Sequence, residues 1–400
     1  MKKLKIFVCL LIILCSAFFV PSITVFADDN KNLDKIYVAL GDSIAEGYAI
    51  DLTTRDDGQF TKKAENAYNF INESYTQRVY NYLTSSYKYN KGYNFSHQGY
   101  TCKDLNDFLK SFCNGASYKC KDPASTNAKY NTFTNQEIYD IFTNAKTFTV
   151  SIGANNVLGK MIDLLPNYFN GSLPYENLET IVKVQVSNFR TEFQELLDLI
   201  YGLNENSEVY FTTIYNPYVY EIMELNNEVA TILSMAGITQ EKLYKISALT
   251  EIALNANEVE FKGLNRILKD EIDRTQTLTD KKIFYLVNSY KKFNDKLNLG
   301  ADYENYVNTR VDKLTMGDLA GVTDADSLEK VISRVIDPHP TAQGHSLIFE
   351  GHKDQKIGTN YYEPANINKK IVVIIGISLF VLAVVVASIV AYVKSKNRIC

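Results

Sequence analysis

Tryptophan is absent from this chain, and histidine occurs only four times in 400 residues. With so few imidazoles, proton transfer near neutral pH has only His97, His339, His345 and His352 to draw on. Also missing are a zinc-protease helix, a phosphate-cradling glycine loop and a dinucleotide fingerprint, so no metal and no cofactor are expected. Acid outweighs base in the main body. The first 27 and last 32 residues hold no Asp or Glu but eight of the 42 Lys and Arg; the remaining 34 bases face 46 acids, a net charge of −12. Such a surface disfavours nucleic acid and direct adhesion to anionic lipid. Missing tryptophan, with abundant Asn, Lys, Ile and Tyr, matches an AT-rich bacterial coding sequence. That is a statement about composition only.

Cysteine is scarce as well. Three lie in the main body, Cys102, Cys113 and Cys120, at spacings that fit no zinc pattern. In an oxidising compartment a disulfide is the better reading. Cys113 with Cys120 closes the shorter loop, around Asn114 and Gly115, and is the preferred pair. One thiol is then left over.

The two ends are apolar. Residues 1–27 carry Lys2, Lys3 and Lys5, an apolar core and the small-residue close Val25-Phe26-Ala27, and read as a cleaved secretory signal peptide. Ile371 to Val393 is an unbroken apolar run whose twenty-three residues would make a helix of about 34 Å, enough to cross a bilayer. Lys394, Lys396 and Arg398 follow and would place residues 394–400 in the cytoplasm. The expectation is an extracellular domain over residues 28–353, a juxtamembrane linker over 354–370 and one C-terminal transmembrane helix at the cell membrane.

Between the ends, strand and helix patterns alternate. Apolar strands are expected at Ile36–Leu40, Tyr93–Phe95, Thr147–Ile152, Glu208–Tyr215 and Ile283–Val287. Helices are expected at 72–87, 104–112 and 175–203, the last with Phe189, Phe193, Leu196, Leu197 and Ile200 on one face. Strand, helix, strand, repeated, implies an α/β protein with a parallel sheet and right-handed crossovers. Nearly seventy residues separate the fourth and fifth strands. Helices at 223–235, 240–254 and 264–272 fill them, and a helical insertion over about 218–262 reads equally as decorated surface or as a cap over a cleft. A second, charged insertion covers about 294–330. Residues 114–135, rich in Ser, Thr and Asn, read as surface loop.

Four short blocks carry the chemistry. Ile36 to Ala49 (IYVALGDSIAEGYA) is an apolar strand broken by Gly41-Asp42-Ser43. Asn94 to Gly99 is NFSHQG, Val150 to Asn156 is VSIGANN, and Asp337 to His345 is DPHPTAQGH. In this order they resemble the SGNH, or GDSL, hydrolases, a family of serine esterases and lipases. The resemblance spans roughly residues 35–351 and implies a flavodoxin-like three-layer α/β/α sandwich with a five-stranded parallel sheet. It implies Ser43 as nucleophile and His339 as general base. Backbone N–H groups of Ser43 and Gly99 and the side-chain amide of Asn155 would form the oxyanion hole. Two departures matter. Asn156 stands where the family usually has Asp. The family acid usually lies three residues before the histidine, whereas Asp337 lies two before His339; either Asp337 or a backbone carbonyl such as that of Ile336 would orient the ring.

The implied activity is carboxylic ester hydrolysis on a small-molecule, lipid or acylated-glycan ester, at the membrane through the C-terminal helix and without nucleic acid. An O-acetyl esterase acting on cell-wall polysaccharide and a catalytically silent surface binding protein are the alternatives. Of the remaining histidines, His97 has no aspartate pattern around it, while His345 and His352 fall on the closing helix, where a solvated or capping role is expected.

Overall fold

The computed structural model describes residues 34–50, 67–220, 230–299, 303–309 and 337–360, apart from positions 69, 232, 235, 236 and 280 within them. The expected signal peptide, transmembrane helix, linker beyond 360, most of the helix at 223–235 and most of the second insertion lie outside the described residues. Among those described, no helix is long and apolar enough to cross a membrane.

Five principal parallel strands form the sheet: β1 Ile36–Gly41, β3 Lys91–Asn94, β6 Ala145–Ser151, β7 Glu208–Thr212 and β8 Phe284–Val287. A two-residue strand, β2 Ala67–Tyr68, adds a sixth at the edge, giving the order β2-β3-β1-β6-β7-β8. The five expected strands are all present, and the two-residue β2 is an addition at the edge, paired with β3. A separate two-stranded ladder joins β4 Cys113–Asn114 to β5 Lys119–Cys120.

Helices cover both faces. One layer holds α2 Tyr75–Tyr87, α9 Ser289–Asn298 and α10 Ala342–Asp354; the other holds α3 Cys102–Phe112, α4 Asn135–Asn144, α6 Tyr175–Leu203 and α8 Leu264–Leu278. Starts follow local chemistry. Ser74 caps α2, Thr341 caps α10, and Thr101/Asp104 and Thr134/Glu137 form reciprocal capping boxes on α3 and α4. Helix α4, and α5 Lys160–Phe169 beyond it, went unread in the sequence.

The two layers differ in chemistry because strand residues alternate sides. Phe148 of β6 meets Phe142 of α4 on one side, ring centres 5.6 Å apart. On the other side Thr147 and Thr149 hydrogen-bond the buried hydroxyls of Tyr89 (2.6 Å) and Tyr37 (2.7 Å). A buried hydroxyl without a partner would cost about 1–3 kcal/mol, so these pairings let tyrosine serve as core. At the start of β7 the fully buried Glu208 carboxylate accepts from Thr147 Oγ1 (2.6 Å), Tyr210 OH (2.8 Å), Gly358 N (2.5 Å) and Asn360 N (2.8 Å). Burial pushes its pKa up, and these four donors oppose the shift.

Within the first insertion, α7 Gln240–Asn255 packs on α6 and α8. Lys242 donates to the carbonyls of Phe169 (2.6 Å) and Gly237 (2.9 Å), tying it to the end of α5.

All three cysteines are free thiols here. Cys113 and Cys120 nevertheless face each other directly across the β4/β5 ladder. Cys102 is fully buried in the first turn of α3, where burial pushes its thiol well above the ordinary range.

Candidate active site

The strand order reverses direction at β1, with β3 added on one side and β6 on the other, and open α/β sheets bind ligands at such a point beyond the strand C-termini. All four sequence blocks arrive at this edge. Gly41 ends β1 at φ 129°, and a Cβ there would lie 1.9 Å from Ser151 O. Only glycine meets both demands. The close approach lets Asp42 N donate to Ser151 O at 2.9 Å, locking the turn against β6.

Asp42 caps the one-turn helix α1 Ser43–Glu46, accepting from Ile44 N at 3.1 Å and from Ser151 Oγ at 3.3 Å. It is fully buried, and burial pushes its pKa up to about 7 against those bonds and the nearby His339. Ser43 is the first residue of α1, so its backbone N–H is one of the turn's unspent donors.

Its hydroxyl lies 2.9 Å from His339 Nε2, and His339 Nδ1 lies 2.6 Å from Asp337 Oδ1. The tautomer with Nδ1–H donating to Asp337 leaves Nε2 to accept the Ser43 proton. The same Asp337 oxygen accepts from His339 N at 3.0 Å. This second bond is why a two-residue offset works: the carboxylate folds back over its own turn and reaches both groups. Asp337 therefore occupies the acid position, and a carbonyl is not needed there. Tyr215 donates its hydroxyl to Pro338 O at 2.5 Å, holding the intervening residue from β7's side.

Gly99 is exposed at φ 79°, with nothing within 4 Å of where a Cβ would stand. Open space over a left-handed glycine lets another molecule approach its backbone closely. The loop carrying it is tied on both sides: His97 N donates to Gly41 O (3.0 Å), and Gln98 N to the Glu46 carboxylate (2.6 Å). Asn155 follows β6 and opens a five-residue π-turn, Asn155–Gly159, a local geometry common at functional sites. Its side-chain amide donates to Tyr100 O at 3.0 Å, which orients the NH₂ group and leaves its second hydrogen for substrate.

Asn156 earns its departure from the family pattern. Its Oδ1 accepts from Cys102 N (2.8 Å) at the start of α3, as an aspartate could, but its Nδ2 donates to Glu192 Oε2 of α6 (2.8 Å). An aspartate would set two carboxylates together.

Two of the other histidines are placed differently from the sequence reading. His97 turns Nδ1 to the Gln98 carbonyl (2.8 Å) and stacks on Tyr100. His345 and His352, expected to be solvated or capping, are fully buried on the inner face of α10. Both rings stack on Tyr75 of α2, at 6.0 and 5.2 Å. His345 Nδ1 accepts from Tyr75 N (3.2 Å) and His352 Nδ1 donates to Ile348 O (2.9 Å). Burial holds their pKa down to about 3 and about 4, so both are neutral packing groups.

No protein-family model matches the sequence, and no curated protein matches it. Solved structures of similar fold include phospholipase A1 from Streptomyces albidoflavus NA297, at 12% identity and TM-score 0.46 over 81% of this chain and 99% of that one. Another is the extracellular lipase of Streptomyces rimosus, at 13% identity and TM-score 0.42 over 80% and 99%. A third is an acetyl xylan esterase from Geobacillus stearothermophilus, at 12% identity and TM-score 0.34 over 83% and 97%. The likeness is one of fold. The chemistry rests on the distances among Ser43, His339 and Asp337.

Proposed function

We propose that this protein is a serine ester hydrolase of the SGNH/GDSL type, acting through an acyl-enzyme. The observation that carries the reading is the unbroken relay from the Ser43 hydroxyl through His339 to Asp337, at 2.9 and 2.6 Å. Ser43 Oγ attacks the ester carbonyl as His339 Nε2 takes its proton. The tetrahedral oxyanion is held by the N–H groups of Ser43 and Gly99 and by the Asn155 amide. His339 returns the proton to the leaving alcohol; water then repeats the cycle on the acyl-serine. An acetylated polysaccharide or a lipid ester fits this chemistry equally, and a silent binding protein would have no use for the relay. Secretion and tethering by residues 371–393 complete the proposal, supported by the charge and hydropathy of the two ends.

The test is a fluorophosphonate probe on the full-length protein, with hydrolysis measured across p-nitrophenyl esters of rising chain length and an acetylated sugar. One label at Ser43 and ester turnover are expected, both lost in Ser43→Ala at unchanged melting temperature. Labelling that persists in Ser43→Ala would overturn the assignment.

A further inference from the structure

The loop that delivers His339 does not hold itself in place. A short segment ahead of it in sequence, residues 303–309, runs alongside and takes up its backbone groups in succession. Asn305 O accepts from Thr341 Oγ1 (2.6 Å), Tyr306 O from Thr341 N (3.1 Å), and Asp337 O from Thr309 Oγ1 (2.6 Å). Val307, fully buried, bridges to Pro340.

One residue of this strap does more than line the loop. Asn308 N donates to His339 O at 2.9 Å, while its side-chain Nδ2 donates to Ala49 O at 3.1 Å. Ala49 belongs to the other half of the site, six residues after Ser43. It sits at φ 62°, a left-handed conformation uncommon outside glycine that surrounding contacts must hold. The residue before it, Tyr48, has its N–H bonded to Ser43 O (3.0 Å) and its ring edge-on to the His339 imidazole, centroids 4.9 Å apart. Asn308 thus grips the histidine loop with its backbone and the nucleophile loop with its side chain, one residue beyond Tyr48.

We propose that Asn308 is a positioning residue: by holding Ala49 O and His339 O together, it keeps the Tyr48 ring against His339 and so fixes the plane in which Nε2 meets the Ser43 hydroxyl. Asp337 and Ser43 hold the two nitrogens of the imidazole, but a ring held only at those points can still turn about the line that joins them. Tyr48 removes this freedom. Asn308 touches no reacting atom and acts only through the two loops. The inference rests on the reading of Ser43 and His339 as the catalytic pair.

The experiment measures the rate of fluorophosphonate labelling and the steady-state constants for a p-nitrophenyl ester in the full-length protein. The variants are Asn308→Ala, Asn308→Asp, Tyr48→Phe, Tyr48→Ala and the double Asn308→Ala/Tyr48→Ala. Misplacement on the scale of an ångström costs about 10²-fold, so Asn308→Ala is expected to slow labelling and kcat by about 10- to 100-fold, with KM nearly unchanged. Tyr48→Phe keeps the ring and should lose far less than Tyr48→Ala, which should match Asn308→Ala. Because the two act on one contact, the double variant should fall no more than about threefold below the worse single one. Multiplying losses would mean independent structural roles and would overturn the proposal, as would an Asn308→Ala variant within about twofold of wild type. Asn308→Asp guards against misfolding by the smaller side chain. It keeps the shape but turns an acceptor toward Ala49 O, and full activity in that variant would also refute the proposal. Failure of the catalytic reading looks different: the wild-type protein itself would not label at Ser43.

Discussion

Replacing Asp337 by asparagine isolates the charge in the relay. The side chain keeps its shape, and the His339 N–H that now holds Oδ1 at 3.0 Å should hold an amide oxygen in the same place. The Nδ1–H tautomer then survives, so the wrong-tautomer failure that costs a serine-protease triad about 10⁴ in turnover should not be the main loss here. What disappears is the attraction between a carboxylate and the imidazolium that forms as Ser43 attacks. The His339 and Asp337 side chains are 15% and 21% exposed, an environment between surface and core. For charge centres about 4 Å apart at an effective dielectric near 20, the attraction is about 4 kcal/mol. At about 1.4 kcal/mol per decade, Asp337→Asn should lower kcat about 10²- to 10³-fold. The assay is steady-state hydrolysis of a p-nitrophenyl ester beside fluorophosphonate labelling, with thermal melting as a control. A loss below about tenfold would refute the reasoning and reduce the site to a Ser43–His339 dyad.

Asn156→Asp should destabilise the fold by about 2–3 kcal/mol, since it removes a donor to the Glu192 carboxylate and opposes it with a second charge; Glu192→Gln in the same chain should recover most of the loss in urea denaturation. His352→Phe should flatten the acid limb of stability. Folded, His352 titrates near 4; unfolded, near 6.5, so the unfolded chain binds more protons between these values and stability falls as pH drops through them, by up to about 1.4 kcal/mol per pH unit. Asp42 works the other way, its pKa being raised in the fold, so the comparison must be variant against wild type at each pH; parallel curves would contradict it. Mild oxidation by a disulfide such as oxidised glutathione should join Cys113 to Cys120 and spare Cys102. Cys113 N is bonded to Leu109 O within α3, which leaves the facing pair without the ladder's reciprocal bonds and its side chains close; peptide mapping showing Cys102 in the bridge would refute this.

Much of this was legible in the residues. The apolar stripe of α6 marked a long helix over 175–203, and the four blocks singled out Ser43, Gly99, Asn155 and His339. Helix α4 was lost in the Ser/Thr/Asn-rich stretch before it, although Thr134 and Glu137 spelled a capping box. Helix α5 carries Pro166 inside it, which argues against helix on local grounds and is overridden by packing. His345 and His352 were misplaced because a histidine on a helix reads as polar; stacking against Tyr75, 270 residues away, is invisible to any local pattern. For the same reason the strap at 303–309 left no trace. Its bonds are mostly to backbone, and backbone has no letter in a sequence.

Glu208 also governs how the domain bears load. Its carboxylate grips Gly358 N and Asn360 N at the start of β7, the end of the sheet opposite Ser43. A pull on the chain beyond Asn360 is therefore taken first by two short charged bonds anchored in the central sheet. Helix α10 and the His339 loop lie upstream of that grip. A chain cut before Gly358 loses this grip and leaves a buried carboxylate short of two donors, so a truncated form should end at Asn360 or later.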